Sequence, residues 1–85
     1  MNYEIPSFSY QRIVATFVRL GFCYECERAG QVWLVRDLVS GDPEYLPIPQ
    51  HNPVMRSTLG LILQRTNIEL TDFLRALDSV SSDKT

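Results

Sequence analysis

Apolar residues recur at Tyr10, Ile13, Val14, Phe17 and Val18, the spacing of one stripe along an amphipathic helix. Pro6-Ser7-Phe8-Ser9 precedes that stripe, and Ser7 or Ser9 supplies an oxygen to accept from an orphaned first-turn N–H. Gly21 ends the helix, because glycine enters the left-handed conformation after the last turn without steric cost. Phe22 is then placed for the apolar contact that follows such a cap. Arg12 and Arg19, seven residues apart, share the polar side.

Helical spacing then gives way to alternation. Phe22 to Glu27 interleaves aromatic, thiol and acidic side chains and predicts a short strand, with Arg28-Ala29-Gly30 as the turn. Gln31 to Asp37 is rich in β-branched and aromatic residues and predicts a second strand. Val32, Leu34 and Arg36 point to one of its faces, and Gln31, Trp33, Val35 and Asp37 to the other. Ser40-Gly41-Asp42-Pro43 has turn chemistry. Glu44 to Pro49 is extended, but its prolines cannot donate to a ladder, so it is an edge strand or pairs along one side only.

After a loop at Gln50-His51-Asn52-Pro53 the helical period returns. Ser57 to Arg65 predicts a helix with Leu59, Ile62 and Leu63 inward, ended by Thr66-Asn67. Leu70, Phe73, Leu74 and Leu77 predict a short last helix. The pattern implies one α+β domain over residues 1–78, built on a three-stranded antiparallel sheet, with a flexible polar tail over 79–85.

Composition narrows the class. With 45% hydrophobic residues in 85 the chain reads as globular rather than disordered. No apolar run approaches the ~20 residues of a membrane span, and the N-terminus lacks the features of a secretory signal. The expected location is the cytoplasm, with no membrane partner. Eight basic residues face ten acidic ones, a formal net charge of −2, which argues against tight, non-specific binding to polyanions. The acids cluster in the middle and the tail, however, leaving Arg12, Arg19, Arg56 and Arg65 in acid-free stretches. These four are the candidate RNA-contacting residues, as phosphate-positioning groups; the competing reading is a solvated helix surface. Arg56 and Arg65 are about half a turn out of phase on one helix, so they cannot both face one ligand.

Cys23 and Cys26 are the two cysteines, and with His51 as the single histidine they cannot complete a tetrahedral metal site. On a regular strand, residues three apart point to opposite faces, so the sulfurs are expected to diverge, one buried and one half-exposed. No metal and no cofactor are expected. Trp33, the single tryptophan, admits three readings: a stacking platform for a base, an anchor at a protein interface, or a sheet residue packed beneath a helix. Both faces of its strand are apolar, and two helices cover only one. The terminal helix or another chain must therefore cover the face of Trp33, Val35 and Tyr45, which makes these the candidate partner-binding residues. A second copy of the chain is one such partner.

Several fragments stand in a familiar order: Leu20-Gly21-Phe22, Gly30-Gln31-Val32, Pro49-Gln50-His51, Ser57-Thr58-Leu59 with Ile62-Leu63, Thr66-Asn67-Ile68 and Phe73-Leu74. Together with the α-β-β-β-α order they resemble the HicA (YcfA-like) family over about Ser9 to Leu77. That family comprises small toxins of toxin–antitoxin pairs with a fold like that of double-stranded-RNA-binding domains. The resemblance implies that fold with a short extra C-terminal helix. It also implies an mRNA endonuclease activity and a HicB-like antitoxin as partner. The chain departs from the family at the chemistry. Val32 stands where HicA toxins carry the histidine of Gly-Ser-His, and Gln31 replaces the serine. Family toxins are typically basic, and this chain is not. Metal-free ribonucleases need a proton shuttle near neutral pH, which histidine supplies and valine does not. His51 is the one remaining candidate acid/base. The sequence therefore favours a degenerate HicA-like domain that binds a protein partner, a HicB-like antitoxin or another complex subunit, or structured RNA weakly. The alternative is an active toxin.

Overall fold

The computed structural model describes residues 8–82, which form α1 (Tyr10–Arg19), β1 (Cys23–Arg28), β2 (Gln31–Asp37), β3 (Pro43–Pro49), α2 (Arg56–Thr66) and α3 (Leu70–Ser82). The fold is α+β, and the three strands make one antiparallel sheet in the order β1-β2-β3.

Local chemistry accounts for the boundaries. Ser9 caps α1, its Oγ accepting from the Arg12 N–H at 3.3 Å; Ser7 lies outside the described residues. The Tyr10 N–H is taken by Asn52 Oδ1 at 2.8 Å, which ties the loop after β3 to the start of this helix. Gly21, at φ +112°, releases the chain from α1, and the Phe22 N–H returns to the Phe17 carbonyl. Asn67 at φ 61° plays the same part for α2. Between β1 and β2 the two turn residues, Ala29 and Gly30, both have positive φ. That is the mirror-image turn whose twist matches a right-handed sheet.

One core holds the elements together. Ile13 and Phe17 of α1 meet Val32 and Leu34 of β2, Leu46 and Ile48 of β3, Leu59, Ile62 and Leu63 of α2, and Phe73 and Leu77 of α3. Phe17 sits at its centre, edge-on to Phe22 and 5.4 Å from the Phe73 ring.

Two expectations about helices change. Val18, expected in the buried stripe of α1, is 45% exposed, whereas Thr16 is fully buried. The sheet and α3 both pack on α1 along the Ile13–Phe17 line, and Val18 falls outside that sector. Thr16 tolerates burial because its hydroxyl donates to the Arg12 carbonyl at 2.7 Å. The last helix is also not short: α3 runs through Ser82, past the polar boundary expected at residue 79. Ser79 accepts from Arg19 Nη2 at 2.6 Å, so a polar side chain there serves the packing of α3 beside α1.

Candidate functional site

The register of the sheet decides what each face carries. Val32 opposes Ile48 and Leu34 opposes Leu46, all buried beneath α1. On the other face Trp33 opposes Pro47 and Val35 opposes Tyr45. Among the described residues nothing covers that second face, because α3 packs on α1 instead. Of the two covers the sequence allowed, the terminal helix is thereby excluded. Tyr45 is 47% exposed, and Trp33, Val35 and Pro47 are half-buried.

A bulge in β1 adds to this face. Tyr24 pairs with Leu34 and Cys26 with Trp33, leaving Glu25 as the extra residue. The slip brings Cys23, opposite Val35, and Cys26, opposite Trp33, to the same open face. The expectation that the thiols diverge is thus corrected, as is the expectation that one is buried: Cys23 is exposed and Cys26 half-buried. Glu25, Cys26, Arg28, Trp33 and Tyr45 together line a shallow concavity of about 400 Å³. The strand pattern pointed to Trp33, Val35 and Tyr45. It missed Cys26 and Arg28, since a bulge has no period to read.

The sheet edges behave differently from its open face. Gln50 N–H bonds to the Gly30 carbonyl at 2.9 Å, so the even-numbered residues of β3 direct their amides toward β2. Its odd positions face outward, and three of them are Pro43, Pro47 and Pro49. Tyr45 is left with the one outward N–H on that strand, and an edge so stripped of donors resists strand addition. The β1 edge carries the bulge with Glu25 and Glu27, two further devices that blunt an edge. Tyr24 on this edge donates to Glu27 Oε2 at 3.2 Å. Partial loss of water and then that carboxylate hold the phenol above its ordinary pKa.

The candidate ribonuclease residues are not assembled. His51 is exposed in the loop between Gln50, which donates to Glu27, and Asn52, which holds α1. Among the described residues it makes no hydrogen bond or ion pair. Val32 is 3% exposed and faces the helices, so its position gives no access to a substrate. The four candidate RNA-contacting arginines are also dispersed. Arg12 lies over the Phe8 ring at 5.1 Å, Arg19 turns toward α3, and Arg56 and Arg65 sit at opposite ends of α2. No cluster able to hold a metal ion occurs among the described residues, and none of the helices in them is long and apolar enough to cross a membrane. No family model, curated protein or solved structure matches the chain.

Proposed function

We propose that this chain is a protein-binding module, a HicA-like domain that has lost ribonuclease chemistry and docks a partner protein on the open face of its sheet. The observation that carries this reading is the row Trp33, Val35, Tyr45 and Pro47, apolar and uncovered among the described residues, on a sheet whose edges are closed. Tryptophan and tyrosine supply large contact area at low entropic cost and dominate many interfaces. The element order agrees with what the HicA resemblance implies, a fold like that of double-stranded-RNA-binding domains. A HicB-like antitoxin or another complex subunit is the proposed partner.

A second copy of the chain fits less well. Neighbouring strands lie about 4.8 Å apart and rise about 3.3 Å per residue, so the apolar patch, two strands wide and three residues long, spans roughly 10 by 10 Å. Two copies stacking that patch alone fall below the ~1,200 Å² of a standard interface. A partner that also grips Glu25 and Arg28 at the rim extends the contact.

The test uses the full chain as bait in an extract of its own cells, compared with Trp33→Ser and with Leu61→Ser. Leu61 is 66% exposed on α2, remote from the sheet's open face, and serves as a control for general stickiness. A protein held by wild type and Leu61→Ser but lost with Trp33→Ser supports the reading. Capture that survives Trp33→Ser, or a dimer growing with concentration in place of any capture, contradicts it. Purified protein and His51→Ala are expected to leave structured and messenger RNA equally intact.

A further inference from the structure

A second concavity, of about 490 Å³, opens where the C-terminal ends of α1 and α2 meet the side of α3, away from the sheet's open face. Three elements each send an arginine to it: Arg19 from α1, Arg36 from β2 and Arg75 from α3. Among the described residues Asp72 is the single carboxylate in its lining. With Glu44 ion-paired to Arg36, the cleft's three arginines face two carboxylates, a small local excess of positive charge on a chain of net charge −2.

Arg36 is fixed before any ligand arrives. Its Nε donates to Glu44 Oε1 at 2.7 Å, one Nη2 hydrogen goes to the Thr66 carbonyl at 2.9 Å, and the guanidinium lies 4.6 Å over the Phe22 ring. A guanidinium has five N–H donors in a rigid fork, so most of this one's remain for a ligand. Arg75 makes no hydrogen bond or ion pair among the described residues. Side-chain donors on Asn67 and Ser79 complete a polar wall. A tetrahedral oxyanion suits such a site, since planar guanidinium forks bond two of its oxygens at once.

We infer that this cleft binds a phosphate group, held by Arg36 and Arg75 and flanked by Arg19. Asp72 opposes the ligand and sets the affinity low. The phosphate is either a free anion or one unit of a nucleic-acid backbone, and the chemistry of the site is common to both.

The test is an NMR titration of the full chain, following backbone amides and arginine side chains. Inorganic phosphate and a short single-stranded RNA are added separately, at ionic strength matched with chloride. Saturable shifts at Arg36, Asn67, Arg75 and Ser79 are expected. Similar affinities for the two ligands assign the site to the free anion, and much tighter RNA binding assigns it to a nucleic-acid backbone. Arg75→Gln, on the exposed side of a helix, should weaken binding about tenfold, the loss of one charged donor pair. Asp72→Asn should tighten it several-fold, a direction that unfolding cannot mimic. Shifts that fail to saturate, that spread over Arg12, Arg28, Arg56 and Arg65, or that ignore Arg75→Gln overturn the inference.

Discussion

Strand β2 has two apolar faces that meet different fates. Val32 and Leu34 look into the helices and are buried among Ile13, Phe17, Leu46 and Ile48. Trp33 and Val35, one residue away on the same strand, look out of the molecule beside Tyr45 and Pro47. Both sets are as hydrophobic as a core requires. The difference is that the described elements after the sheet, α2 and α3, return to the side already occupied by α1. An apolar row that no described element covers costs solubility on a domain this small, and a face kept that way reads as an interface rather than as structure.

Adjacent positions on β2 separate the two faces most sharply. Leu34→Ala should cost about 2–5 kcal/mol, because it opens a cavity beneath α1. Val35→Ala, on the open face, should cost about 1 kcal/mol or less by the same chemical denaturation. Equal losses would mean that something packs on Val35 in the free protein.

Binding should reverse the ranking. Trp33→Ser is expected to leave most of the stability in place while weakening partner binding by about 2 kcal/mol or more, the range of an interface hot spot, read by calorimetry. Leu34→Val, a milder change in the core, should leave binding within about 0.5 kcal/mol of wild type if the protein stays folded.

A further substitution separates face from edge. Pro47→Thr keeps a strand-compatible residue on the open face but returns an N–H to the outer edge of β3, next to that of Tyr45. Sedimentation at rising concentration should then show association that wild type lacks. No association would mean that the prolines are not what closes this edge.

The smallest effect concerns the β1 edge, beyond the reach of both faces' packing. The Tyr24 phenol should deprotonate at higher pH than free tyrosine, followed by phenolate absorbance. Glu27→Gln should lower its pKa part of the way, since loss of water also contributes. A raised phenol pKa in the folded chain favours the protonated state. Its contribution to stability is therefore present below the unfolded value of about 10 and is lost as pH rises through the folded one.

How much of this was legible in the chain depends on the kind of signal. The residues of β2 alternate cleanly, so their facing could be read off, and both glycine and asparagine marked helix ends where positive φ is required. The prolines of β3 announced an edge strand and sit where an edge strand tolerates them. Thr16 and Val18 exchanged places because a hydroxyl that bonds its own helix carbonyl buries as readily as a valine. The thiols moved to one face because Glu25 interrupts the period of two, and nothing about a glutamate marks a bulge. Grouping Arg36 and Arg75 with Arg19 required the third dimension, since β2, α1 and α3 are far apart in sequence. His51 looked chemical because it is the single histidine, and isolation in a loop is a property of its surroundings rather than of its identity.

Replacing Trp33, the single tryptophan, with fluorotryptophan gives one fluorine signal in the chain. The signal is followed as the partner captured by the bait is added. Docking on the open face shifts that resonance and protects it from a soluble paramagnetic quencher. A complex that forms while Trp33 stays as exposed as in the free protein would contradict it and move the interface off the open face.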